Sequence, residues 1–207
     1  MRVPCTVLLI LLAGPAAAGS VAYIDQIGEG NRASHVQTGA NSADTRQTGT
    51  QLWAEQVQSG SNSAAITQSG QRQRASISQL GSNAASIAQA GSGNDATLMQ
   101  DGAANRATVT QSGSGNRSSV RQSGSGNLSS TVQRGANNDS EHRQDGVGNE
   151  VTTVQEGNSS LSVTQTGANN SIDSTIRNGG QGFRILQNGS GMDIRVIQTP
   201  GFQKPGR

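Results

Sequence analysis

The sequence predicts an all-β, amyloid-like fold: a β-solenoid of about eight two-stranded coils, each strand–turn–strand–turn. Three observations carry this. Gln-x-Gly occurs fifteen times at spacings of mostly 10 or 11 residues. Between copies the side chains alternate with period two, as in Asn105, Ala107, Val109, Gln111 against Arg106, Thr108, Thr110, which is the strand signature. Proline is absent from Ala16 to Thr199, as strands that all need their N–H donors require. A glycine at every tenth or eleventh residue excludes helix.

Composition narrows the class. Gly, Ser, Gln and Asn make up 93 of 207 residues, apolar residues 31% and charged residues 14%. A conventional globular enzyme core cannot be built from this. The net charge of +2 is too small to hold the chain open. Residues 1–18 read as a secretory leader: Arg2, an apolar run within Val7 to Leu12, and Ala16-Ala17-Ala18 as the cleavage site. Cys5, the one cysteine, lies inside it. No segment is long enough for a transmembrane helix. Residues 19–25 are expected to form a short lead-in, 26–198 the repeat array and 199–207 a tail.

The early alternation of 11 and 10 sets a true period of 21, later 22. Residues that far apart stack in columns. One Gln column is Gln26, Gln47, Gln68, Gln89, Gln111, Gln133, Gln155, Asn178 and Gln198, with the strand before Asn178 expected to be two residues longer. The other is Gln37, Gln58, Gln79, Gln100, Gln122, Gln144, Gln165 and Gln187. One Asn column runs Asn41, Asn62, Asn83, Asn105, Asn127, Asn149, Asn170 to Met192; the second is Asn31, Leu52, Gln73, Asn94, Asn116, Asn138, Ser159 and Gln181. A carboxamide both donates and accepts, so identical side chains at strand spacing bond along the column. Turns are assigned to Gly28, Gly39, Gly49, Gly60, Gly70, Gly81, Gly91, Gly102, Gly113, Gly124, Gly135, Gly146, Gly157, Gly167 and Gly189, since glycine reaches positive φ freely. The small inward position is Ala from Ala33 to Ala107, then Ser118, Ser129 and Ser140, then Val151, Leu161, Ile172, Phe183 and Ile194. The C-terminal interior is therefore wider.

The pattern Gln-x-Gly-x-x-Asn-x-Ala-x-x-x-Gln at Gln26–Gln37 and Gln100–Gln111 resembles the curlin repeat of bacterial curli fibre subunits. The resemblance covers about Gln26 to Gln198. It implies a secreted structural subunit of functional amyloid fibres on the surface of a Gram-negative bacterium, serving adhesion and biofilm matrix. It also implies a partner curlin and secretion and assembly machinery at the outer membrane. Met192 to Gln198 is similar to the end of minor, nucleating subunits, which the chain resembles slightly more than the major ones.

Other chemistry is not supported. His35 and His142 face inward at the Val position, and neither a third His nor a further Cys joins them; a metal site needs several convergent ligands. No catalytic constellation or cofactor motif is present, so no enzyme, cofactor-binding or metal residues are assigned. Arginines are scattered, which argues against a nucleic-acid partner. Arg121 and Arg143, 22 apart, are expected to stack as a like-charged pair that slows premature aggregation. The alternative reading is a soluble binding solenoid with an ice- or carbohydrate-binding face. It requires one outward residue type repeated, whereas Arg32, Ser42, Trp53 and Ser63 are mixed.

Overall fold

The computed structural model describes residues 6–12, 19–177 and 182–199. In chain order the strands are β1 (Thr6–Leu12), β2 (Val21–Glu29), β3 (Arg32–Gly39), β4 (Ser42–Thr50), β5 (Trp53–Gly60), β6 (Ser63–Gln71), β7 (Arg74–Ser92) and β8 (Asp95–Ser114). They continue as β9 (Arg117–Ser125), β10 (Leu128–Ala136), β11 (Asp139–Val147), β12 (Glu150–Glu156), β13 (Ser160–Ala168), β14 (Ser171–Arg177), β15 (Phe183–Ser190) and β16 (Asp193–Gln198). No helix occurs among the described residues.

Half-coils that follow one another in the chain do not pair; β7 and β8 pair with their chain neighbours because each spans two half-coils. From β2 onward each half-coil bonds in parallel with the one a full coil away, at a step of 21 or 22 residues, as in Gln47↔Gln68 and Gln111↔Gln133. The result is a β-solenoid of about eight turns with two stacks facing each other across a narrow interior. One stack holds β3, β5, the first half of β7, the first half of β8, β9, β11, β13 and β15. The other holds β2, β4, β6, the second halves of β7 and β8, β10, β12, β14 and β16. β7 and β8 each continue around a corner and so belong to both.

Length variation is absorbed in the turns. The ten-residue units Gln37–Gln47, Gln58–Gln68 and Gln79–Gln89 turn with one positive-φ residue, Gly39, Gly60 or Gly81, while the fourth, Gln155–Gln165, turns through Gly157 and Asn158. Most eleven-residue units add a second left-handed residue at the corner, such as Gly93, Ala104, Gly126 or Asn137. Its amide N–H still bonds along the stack, as Gly93 N does to Gln71 O at 3.0 Å. The strand parity is therefore preserved at either length.

Two expectations change. Asn178 does not enter the Gln column among the described residues: Gln155 pairs with Ile176, and Ile176 with Gln198. The strand keeps the 21-residue step instead of lengthening by two. Since both choices preserve alternation, what distinguishes them is packing: Ile176 is buried among Val151, Leu161, Val163 and Ile172, where an apolar side chain is favoured. Asn178 and Gln181 lie outside the described residues, as do Ala16–Ala18 and residues 200–207. The segment 19–25 contributes Val21 to Asp25 to β2, in register with Ser42 to Arg46. The apolar run Thr6–Leu12 forms β1, paired in parallel with β3 from Thr6↔Arg32 to Leu12↔Thr38.

The interior is layered. An apolar block from Ala54 to Val120 is built largely on Ala paired with an Ile, Leu or Val in each half-coil from Ala64 to Val109. A second block holds Val151, Leu161, Val163, Ile172, Ile176 and Ile185. Between them lies a polar band of buried Ser118, Ser129, Thr131, Ser140, His142 and Thr153.

Candidate functional site

Period-two alternation turns every Gln of the repeat inward, and the parallel register places each above the next. In one column Gln37 Nε2 donates to Gln58 Oε1 at 2.8 Å, and the pattern continues through Gln79, Gln100, Gln122, Gln144 and Gln165 to Gln187 at 2.8–3.0 Å. In the other, Gln26 donates to Gln47, and Gln47, Gln68, Gln89, Gln111 and Gln133 each donate onward to Gln155 at 2.8 Å. Ile176 interrupts this column before Gln198. The second amide hydrogen is used as well: Gln111 Nε2 reaches Asp95 O at 3.0 Å and Gln100 Nε2 reaches Ala84 O at 3.1 Å. A mid-column carboxamide thus has both hydrogens and its oxygen engaged, which removes the cost of burying it.

The Asn columns sit at the corners and do something the spacing does not reveal. Asn105 Nδ2 bonds Asp101 O and Gly124 O at 3.2 and 3.0 Å, pinning turn carbonyls of its own coil and the next. Its Oδ1 accepts from Asn127 N and Nδ2. Asn41, Asn62, Asn83, Asn127, Asn149 and Asn170 make the same kind of bonds. In the second column Asn94, Asn116 and Asn138 behave alike, while Leu52 contributes only its backbone N–H to Asn31 Oδ1. Side-chain amides therefore satisfy the turn backbone that strand pairing leaves open.

The two histidines lie in a separate inward column, at the β-branched position two residues before the Gln, where His35 stacks on Gln56 and His142 on Val120 and Val163. His142 Nδ1 meets Ser129 Oγ at 2.9 Å and Thr131 Oγ1 at 3.3 Å; Nε2 meets Thr153 Oγ1 at 2.9 Å and Ser140 Oγ at 3.1 Å. Burial lowers its pKa to about 3, because an imidazolium would have to give up its hydration. His35 bonds Thr45 Oγ1 at 2.7 Å, and burial lowers its pKa to about 4. Among the described residues no group of three or more His, Cys, Asp or Glu comes together, and no helix is long and apolar enough to cross a membrane.

Outward charges pair along and across strands. Arg117 stacks on Asp139, and Arg121 on Arg143. Arg143 turns to Asp145 at 2.7 Å, which relieves the like-charge contact.

A column built this way is sensitive to loss of one member. Gln111→Ala should destabilise the coil stack by about 2–4 kcal/mol, since Gln89 Nε2, Gln133 Oε1 and Asp95 O lose a partner and a cavity opens. The outward neighbour change Thr110→Ala should stay within about 0.5 kcal/mol. Guanidinium midpoints of the two variants make the comparison.

Residues 91–124 and 102–130 match the family model of the curlin associated repeat. No curated protein matches the chain. The matched span contains Gln100, Gln111, Gln122, Asn94, Asn105, Asn116 and Asn127, members of the inward columns just described. Those columns continue through the coils on either side in the same register, so the matched curlin associated repeats at residues 91–130 are part of one continuous array.

Proposed function

We propose that the chain is a secreted structural subunit of curli-type functional amyloid fibres, acting in cell adhesion and biofilm matrix outside a Gram-negative cell. The observation that carries this reading is what the end coils leave open. Inward residues fully buried in the middle become half-buried at the ends, at Ala22, Ile24 and Gln26 on one side and Ile194, Val196 and Gln198 on the other. The Oε1 atoms of Gln26 and Gln37 lack hydrogen-bond partners. Such an edge is a template for a further parallel coil. Every Gln–Gln bond runs from the Nε2 of one coil to the Oε1 of the following one, so the columns have a direction. Growth follows that direction, the C-terminal coil of one copy meeting the N-terminal coil of the next.

The leader implies export, and the family resemblance implies an outer-membrane secretion and assembly system and a second curlin as partners. A purified chain beginning at Gly19 should form dye-binding fibres with a meridional reflection near 4.7–4.8 Å. A chain that stays monomeric at high concentration, with curlin seeds present, would defeat the proposal. Trace amounts should shorten the lag of another curlin if this subunit nucleates. The rival ice- or carbohydrate-binding surface needs a uniform outward column. The one through Thr67 reads Thr67, Ala88, Thr110, Val132, Val154, Thr175, which mixes hydroxyl and apolar groups and offers no such array.

A further inference from the structure

The coils from β2 to β16 contain an odd number of half-coils, with nine members in the stack of β2 and eight in that of β3. The first and last half-coils therefore belong to the same stack. Among the described residues the register ends at Gln198.

This parity decides how two copies can meet, given the end-to-end growth proposed above. Simple translation along the axis would set β16 on β2 of the next copy. Between β15 and the next copy's β3 one strand would then be missing, about 9.6 Å of separation in place of one strand spacing. Both facing edges would keep unpaired backbone groups inside the fibre. We infer that successive copies are instead related by a half-turn about the solenoid axis. β15 then stacks on β2 of the next copy and β16 on its β3, with no strand missing. The half-turn preserves strand direction, because the two stacks run in opposite senses across each coil.

The side chains agree. The half-turn places Asp193 opposite Arg32 of the next copy and Ile197 opposite its Val36. Gln187 meets Gln26 and Gln198 meets Gln37, whose Oε1 atoms are unpartnered. Bulky Phe183 and Ile194 fall against Ala22 and Ala33. Translation would put Asp193 opposite Val21 and the 60%-exposed Ile197 opposite Asp25. The β3 edge already accepts a parallel strand, since β1 pairs there from Thr6↔Arg32 to Leu12↔Thr38. In the half-turn arrangement β16 of the preceding copy takes that place once the leader is gone. Among the described residues β1 pairs only with β3, so the coils from β2 onward keep all their mutual pairings without it. Each copy adds about 41 Å and 180°.

Cross-linking in fibres of the chain from Gly19 onward tests this. Directly paired parallel strands bring Cα atoms within disulfide range, and this form has no other cysteine. Oxidised fibres of Asp193→Cys/Arg32→Cys should run as a ladder of covalent multimers, and those of Asp193→Cys/Val21→Cys should not. The reverse pattern, or fibres with neither cross-link, would overturn the half-turn. In a second arm, Arg32→Asp and Asp193→Arg should each slow growth about two- to five-fold, and the double change should restore it; absence of rescue would also overturn it. Failure of the parent chain to form fibres would instead reject the assembly reading itself.

Discussion

Gly102→Ala is expected to disrupt coil stacking, at a cost of about 4 kcal/mol or more. Gly102 has φ +114, and a Cβ there would lie 2.0 Å from Gly124 O, the backbone of the next coil. Neither problem can relax without parting two coils along their hydrogen bonds. The same collision recurs at Gly49, Gly70, Gly91 and Gly113. The second turn glycine is a different case. Gly93 has φ +65 and its Cβ would meet nothing closer than Gly115 N at 4.0 Å. Ala104 and Asn137 already adopt this left-handed corner. Gly93→Ala should therefore cost only about 1 kcal/mol. Denaturant midpoints of the two variants test the contrast, and equal losses would contradict it.

Acid should weaken the polar band through His142. Its folded-state pKa is about 3, below the ordinary 6.5 of an unfolded chain. Between those values the unfolded chain binds the proton and the folded one does not, so stability falls as pH drops below about 6.5 and levels off near the folded pKa. At pH 4 the expected loss is roughly 3 kcal/mol. The groups touching the ring are the hydroxyls of Ser129, Thr131, Ser140 and Thr153, and the flanking charges Glu141 and Arg143 alternate to the outer face, so no carboxylate offsets the loss. His142→Gln should remove this contribution, leaving that of His35, whose pKa burial also lowers to about 4, while keeping an amide among the hydroxyls, as Gln56 does against Thr45 at 2.9 Å in the same stack. Guanidinium midpoints from pH 7 to pH 4 for parent and variant provide the check; parallel curves would contradict the assignment.

Most of the architecture was legible because one device repeats. The Gln spacing encodes the 21- and 22-residue register, and alternation encodes which face is inward; the column from Gln37 to Gln187, and the other from Gln26 to Gln155, follow from these two facts. Ile176 was missed because Asn178 looked like the better amide, and a shift of two leaves alternation unchanged. The start at Val21 was missed because no Gln-x-Gly precedes it. The role of Asn was only half visible. Its column could be read from spacing, but its grip on turn carbonyls such as Leu80 O and Gly102 O by Asn83 depends on corner geometry that no periodicity carries. The polar band was present as Ser118, Ser129 and Ser140, yet its closure around His142 needs residues from both stacks, and sequence alignment along one strand does not bring these together.

The central claim is that each coil stacks on a different coil of the same chain, held by amide columns. Isotope-dilution solid-state NMR of fibres tests it most directly. Gln100 should show contacts to Gln79 and Gln122 that survive dilution of labelled into unlabelled chains, since those neighbours are 21 and 22 residues away in one molecule. Contacts of Gln100 only to Gln100 of neighbouring chains, lost on dilution, would mean a flat in-register stack and would contradict the solenoid.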